Sequence, residues 1–256
     1  MDRPAVAQER NRAVALLMGW APFVLLLTAY ELMRDLASTL RVPPHNMAGV
    51  ERALFDGYEP TLVLQATIGK LSDADLIDDA GSLVYAAHFL LPIVVGAWLW
   101  RRNRADFHRF GLSLVVLCAL AFLTYVVAPT APPWLAQPQS VQHLMQDAVM
   151  RSGLPPALTW LYSHHDYNLY AAFPSLHSGF PVLAAAAAWR RNRVAGVVLS
   201  IWAVVVWVTV VYLGEHYVAD VVGGIVYALV ALAIVSLLSK DRKPGRIASP
   251  SASEAH

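Results

Sequence analysis

The sequence predicts an all-α, polytopic membrane protein: a bundle of six transmembrane helices with short interfacial helices on its outer side. Three observations predict it. Mean hydropathy is +0.48, with 57% hydrophobic and only 14% charged residues, where soluble domains carry about 25% charged residues. The apolar residues fall in long uninterrupted runs rather than at helical or strand periodicity, as membrane-spanning segments do. Basic residues collect between alternate runs. The composition argues against a soluble enzyme; the net charge of +1 says nothing about nucleic acid, and no nucleic-acid partner is expected.

Taking about 20 apolar residues per crossing, the spans are expected at 13–33, 82–100, 110–128, 173–189, 194–213 and 217–239. The first follows Arg3, Arg10 and Arg12 but is too long for a secretory h-region and lacks a small-residue cleavage site, so it reads as a retained span. Backbone groups cannot face lipid unpaired, and no ten-residue alternation marks a β-barrel, so the spans are read as helices. Between the first and second spans, residues 60–71 (PTLVLQATIGKL) are apolar but too short to cross, as in an interfacial or re-entrant helix. After the third span, Pro129, Pro132 and Pro133 oppose regular helix, and Trp134 suits a water–lipid boundary. That stretch is either a stiff loop on the membrane surface or part of a substrate site, with Pro133 and Trp134 as its contacts. Cys118, the one cysteine, lies inside an apolar run and reads as inert packing.

Arg3, Arg10 and Arg12, then Arg101, Arg102, Arg104 and Arg109, then Arg190, Arg191 and Arg193, then Lys240, Arg242, Lys243 and Arg246 make up 14 of the 19 basic residues. In a six-span chain all four groups fall on one side, which the positive-inside rule makes cytoplasmic, together with both termini. Residues 1–240 are read as a single integral-membrane catalytic domain, and 241–256, rich in Ser and Ala, as a disordered cytoplasmic tail. Nothing in the sequence fixes the oligomeric state.

The chemistry sits where outer loops meet spans. At the outer start of the fourth span stands Phe173-Pro174-Ser175-Leu176-His177-Ser178-Gly179. Proline suits a first helical turn, and the N–H groups of Ser175, Leu176 and His177 are expected to stand free beside an ionisable imidazole, which makes an anion site. The bland alternative is a capped helix with an interfacial histidine. Entering the sixth span at the same face is Tyr212-Leu213-Gly214-Glu215-His216-Tyr217-Val218-Ala219-Asp220. On a helix the i, i+4 spacing would stack Asp220 beside His216, fixing the tautomer and leaving Nε2 as nucleophile or base. The alternative is a structural ion pair closing a helix end. His88 is placed about a turn and a half into the second span, where it contacts phosphate or satisfies a backbone carbonyl, with Tyr85 one turn earlier on the same face. His164, His165 and Asp166 could bind a metal but read more simply as a solvated cluster.

FPSLHSG followed by GEHYVAD resembles the second and third signature motifs of the type 2 phosphatidic acid phosphatase superfamily, most closely the branch of the inositol phosphorylceramide synthases. In that branch an Ala-Pro-Pro-Trp string also precedes them, as Ala131 to Trp134 does here. The resemblance implies His216 as nucleophile, Asp220 as its orienting partner and His177 as the acid that protonates the leaving group. The chain departs from the wider superfamily in carrying Val210 where an arginine clamps phosphate, and in lacking a Lys/Arg–Pro pair before the second motif. Only Arg34, Arg41, Arg52, Lys70 and Arg151 remain outside as possible clamps. Fewer cations suit a phosphodiester, with one charge, better than a phosphomonoester with about two.

The expected protein is therefore a metal-independent, cofactor-free lipid phosphotransferase or phosphatase of the cell membrane, its site facing outward. It works through a phosphohistidine, with phosphoinositol-like head-group transfer the leading reading. Its partners would be a phospholipid or polyprenyl-phosphate substrate and the bilayer. The alternatives are a lipid phosphate or polyprenyl (di)phosphate phosphatase and, from another class, a lipid carrier or a haem protein ligated by His88, His177 and His216.

Overall fold

The computed structural model describes residue 28, residues 43–152 and residues 171–240; the expected first span (13–33), the His164–Asp166 cluster and the tail (241–256) lie outside them, save for Thr28. The described residues are helical throughout, with no strand beyond isolated bridges that tie Thr130 to His45 and to Ala171. In chain order they form α1 (Ala48–Leu54), α2 (Pro60–Ile68), α3 (Ala74–Ala86), a 3-10 turn (Ala87–Phe89), α4 (Leu90–Arg102), α5 (Arg104–Val127), α6 (Pro133–Ala136), α7 (Leu144–Arg151), α8 (Leu176–Trp189), α9 (Arg193–Tyr212) and α10 (Val218–Lys240).

Three helices, Arg104–Val127, Arg193–Tyr212 and Val218–Ser239, are long and apolar enough to cross a membrane, and α3 with α4 makes a fourth crossing if that bent pair is one span. Val197, Val198, Ile201, Val204 and Val208 on α9, and Val222, Val226, Leu229 and Val230 on α10, are exposed. Two helices with their outer faces covered in large aliphatic residues have lipid, not water, as their natural solvent. The chain is a multi-pass membrane protein.

The residues of the second expected span, 82–100, fall on two helices, α3, which begins at Ala74, and α4, bent by 48° across the 3-10 turn. The cause is Pro92: its ring conflicts with the carbonyl four residues back, at His88, so the helix cannot pass straight through that point. The fourth expected span, 173–189, is a helix only from Leu176, because Phe173 to Ser175 are not helical. Its 14 residues are about 21 Å long, against about 30 Å of hydrocarbon. This helix is the centre of the bundle, packed against α9, α10, α5 and α4. The loop expected to resist helix holds two: α6, which starts at Pro133 where a missing N–H costs nothing, and α7. Of residues 60–71, Pro60–Ile68 form a helix, α2, which lies against α9.

The core runs between α5, α8 and α10: Leu114, Leu117, Ala121, Leu183, Ala184, Ala228 and Ala231 are buried there. Small residues let these backbones approach closely. At Gly224 on α10 a Cβ would lie 2.0 Å from the Ser175 carbonyl oxygen and 2.1 Å from the Ser178 hydroxyl, so only glycine allows the start of α8 to press onto the start of α10. At the other end of the bundle Asp106 at the start of α5 receives Arg190 at 3.6 Å and pairs with Arg191. Asn103 and Asn192 cap α5 and α9 there through their side-chain oxygens. Among the described residues, the two arginine clusters 101–109 and 190–193 thus gather at the end opposite the histidines.

Candidate active site

Ser175 begins the site as the N-cap of α8, its hydroxyl accepting the Ser178 N–H. Its own N–H is not free as expected but donates to the Asp220 carbonyl at 3.0 Å. The Ser178 hydroxyl lies 2.9 Å from the Val221 carbonyl, so the two motifs are joined main chain to side chain across the Gly224 crossing. Pro174 precedes the cap rather than occupying the first helical turn, and its carbonyl accepts the Tyr125 hydroxyl at 2.7 Å. Phe173 N–H donates to Thr130 Oγ1 at 2.6 Å. Leu176 and His177 hold the first two helical positions, where N–H groups have no partner within the helix.

The connection from α9 to α10 carries the other half. Gly214 adopts φ +80°, a left-handed conformation that turns the chain within a few residues. His216 follows as a non-helical residue before α10 starts at Val218, so the Asp220 spacing is not the expected helical stack. Asp220 sits instead at the third helical position and reaches back to accept the Tyr217 N–H at 2.8 Å, half of a capping box. That geometry still leaves its Oδ2 3.7 Å from His216 Nδ1.

His216 Nε2 then points at His177, whose Nδ1 lies 3.2 Å away. The His177 ring is held between Tyr85, centroids 4.2 Å apart, and His88, 4.0 Å apart, and His88 is in turn stacked on Phe180. The bend over Pro92 therefore aims Tyr85 and His88 at the same ring. His88, His216 and Asp220 are buried. Among the described residues His177 Nε2, His216 Nδ1 and Asp220 Oδ1 are buried without a hydrogen-bond partner. Such atoms are costly in a finished core and characteristic of a reacting site.

Pro133 and Trp134 stand on the same side. Trp134 N–H donates to the Gly214 carbonyl at 3.1 Å, and its ring is stacked on His143 at 4.1 Å. Of the outer cations, Arg52 is paired with Glu59 at 2.6 Å, and Arg151 with Asp75, Asp78 and Asp79; Arg34 and Arg41 lie outside the described residues. Charge on a bound phosphate would be met by imidazolium and by the α8 amides.

Several residues that build the site carry no local signal. Glu215 is buried and receives His143 Nε2 at 3.0 Å. Tyr217 donates its hydroxyl to Asn46 Oδ1 at 3.0 Å and accepts from Gln137 Nε2 at 3.2 Å; burial, with nearby Glu59 and Asp220, pushes its phenol up to about 12. Gln65 on α2 accepts the Gln142 N–H and donates to the Tyr212 carbonyl, both at 3.0 Å. Only the adjacency of Glu215 to His216 was visible in the sequence.

The pattern of the PAP2 superfamily matches residues 47–234. The chain is 27% identical over 236 residues to a phosphoinositol dihydroceramide synthase of Bacteroides thetaiotaomicron, covering 86% of this chain and 75% of that one. It is also 27% identical over 157 residues to an inositol phosphorylceramide synthase of Candida albicans, covering 56% of this chain and 32% of the relative. No solved structure matches it.

Proposed function

The chain belongs to the PAP2 superfamily, and on that premise we propose that it transfers a phosphorylated polyol head group, phosphoinositol-like, from a phospholipid to a hydroxyl of a ceramide-like lipid. The observation that carries this reading is the in-line order Asp220, His216, His177: carboxylate at 3.7 Å from Nδ1, and Nε2 at 3.2 Å from the second imidazole.

Asp220 favours the tautomer with the proton on Nδ1 of His216, so Nε2 keeps a lone pair. In the first step Nε2 attacks phosphorus, the bond from phosphorus to the diacylglycerol oxygen breaks, and His177 gives that oxygen its proton. The product is an N-phosphoryl histidine still bearing the polyol. In the second step His177, now neutral, takes the proton of an acceptor hydroxyl, whose oxygen attacks phosphorus and releases His216. Phosphorus has to occupy the space between the two rings, so the 3.2 Å contact is the resting position from which they separate. Water as acceptor would give hydrolysis; a lipid hydroxyl gives transfer. The names of both relatives support transfer.

We read the topology as six spans with both termini cytoplasmic and the histidines outside. The support is that, with six spans, 14 of 19 basic residues in the sequence fall on one side and the two histidine motifs on the other. The test is incubation of the full chain in nanodiscs with radiolabelled phospholipids and polyprenyl phosphates, with and without ceramide or diacylglycerol, followed by lipid chromatography. Label moving from phosphatidylinositol to ceramide is the expected result. Release of water-soluble phosphate alone would replace transferase by phosphatase.

A further inference from the structure

Glu51 lies on the seven-residue helix α1, is fully buried, and faces the first turn of α10. Its Oε1 accepts the Ala219 N–H at 2.8 Å, while its Oε2 is buried with no hydrogen-bond partner among the described residues. Asp220, on that same turn, spends Oδ2 on the Tyr217 N–H, and its Oδ1 has no hydrogen-bond partner among the described residues. One helix N-terminus thus presents its amides to two carboxyls, one from its own sequence and one from a helix 168 residues away.

A helix start leaves four N–H groups without intrahelical acceptors, and buried donors take whatever acceptor they can reach. If Glu51 did not take the Ala219 amide, a neighbouring carboxyl on the same turn would be that of Asp220, the next residue along the chain. Turning towards that amide would rotate Oδ2 away from His216 Nδ1, where it stands at 3.7 Å. That contact is already longer than a hydrogen bond, so it has little to lose before the tautomer is no longer fixed. We propose that Glu51 is a positioning residue: it satisfies the Ala219 amide at the start of α10 and so leaves Asp220 to His216. Glu51 acts as an acceptor, not as a charge, and touches no substrate. The inference rests on the assignment of His216 as nucleophile.

The full chain in nanodiscs is assayed as Glu51→Ala, Glu51→Gln, Glu51→Asp, Asp220→Asn, His216→Ala and the double variant Glu51→Ala with Asp220→Asn. Glu51→Ala is expected to lower kcat about tenfold, in the range that loss of a buried hydrogen bond allows, with KM within about twofold. Glu51→Gln keeps an oxygen at the same reach and should stay within about threefold of the parent. Glu51→Asp is one methylene short and should fall with the alanine variant even though it keeps the charge, which covers the case in which Glu51→Ala does not fold. Because Glu51 works through Asp220, removing it from Asp220→Asn should cost less than about twofold more, the non-additivity of residues acting as a unit. The acid limb of kcat/KM reports protonation of the nucleophile, and less carboxylate support moves that limb to lower pH. It should move in Glu51→Ala and Asp220→Asn alike and stay in place in Glu51→Gln. Effects that multiply in the double variant, a glutamine variant as poor as alanine, or an aspartate variant equal to the parent each overturn the proposal. Turnover persisting in His216→Ala would instead remove the nucleophile assignment beneath it.

Discussion

At the level of single residues, the two histidines are not equivalent, because among the described residues only one has a carboxylate behind it: Asp220 is 3.7 Å from His216, whereas His177 lies between Tyr85 and His88. A nucleophile cannot be replaced, whereas a general acid is worth about 10² to 10⁴ and matters least when the leaving group needs no proton. His216→Ala should therefore abolish turnover and the covalent intermediate with every substrate. His177→Ala should lose about 10³ on a natural phospholipid but recover much of that on a nitrophenyl phosphodiester, and Asp220→Asn should fall between them. Equal deficits of the two histidine variants on both substrates would contradict the division of roles. A second prediction concerns Glu51, whose burial, opposed by the Ala219 and Val218 amides, raises its carboxyl above the ordinary 4.5. A group with a raised folded pKa binds more protons folded than unfolded, so its contribution is complete below 4.5 and is lost as pH rises through the folded value. Thermal midpoints should therefore decline with pH above 4.5 more steeply in the parent than in Glu51→Gln, which does not titrate; parallel curves would show that Glu51 has its ordinary pKa.

At the level of elements, the site depends on how closely α8 and α10 approach at Gly224. A Cβ there would meet the Ser175 carbonyl oxygen at 2.0 Å, a backbone atom that can only move if the whole start of α8 moves. Gly224→Ala should cost about 3 kcal/mol of stability, as overpacking does, and should cut activity by more than the stability loss explains, since Ser175 holds Asp220 through its N–H. Gly49→Ala, where a Cβ meets nothing within 4 Å, is the control and should be neutral or slightly stabilising. Comparable activity loss in both variants would mean the crossing is not what holds the site together. Such crossings explain what could and could not be read from the chain. His177, His216 and Asp220 were legible because each motif is local and strung on a span entrance. The Ser175 N–H, expected free, is occupied because its acceptor lies on another helix, and Pro92 bends the second span at a position that span hydropathy does not register. Glu51 sits in a short helix with no pattern, and its meaning lies entirely in a contact 168 residues away.

At the level of the whole molecule, hydropathy located both ends of α9 and α10 and the end of α5 to within one residue, missing the start of α5 by six, because lipid-facing helices must be continuously apolar. It overextended α8, since a buried central helix and a lipid-facing one are equally apolar and only packing tells them apart. The orientation of the bundle can be tested with the chain as it is. Its single cysteine, Cys118, is buried in the core between α5 and α8, so it should give little background with a membrane-impermeant thiol reagent. Gln139 is exposed in the loop between α6 and α7, the loop that reaches the Gly214 connection through Trp134, whereas Arg102 is exposed at the far end beside the Asp106 cluster. Clusters of arginine are held on the cytoplasmic side during insertion, and in the proposed six-span reading four of them would fall at the Arg102 level. Gln139→Cys should then be labelled in intact cells, and Arg102→Cys only after the membrane is permeabilised. Labelling of Arg102→Cys in intact cells, with Gln139→Cys protected, would invert the bundle and place the histidines, and with them the donor lipid, on the cytoplasmic leaflet.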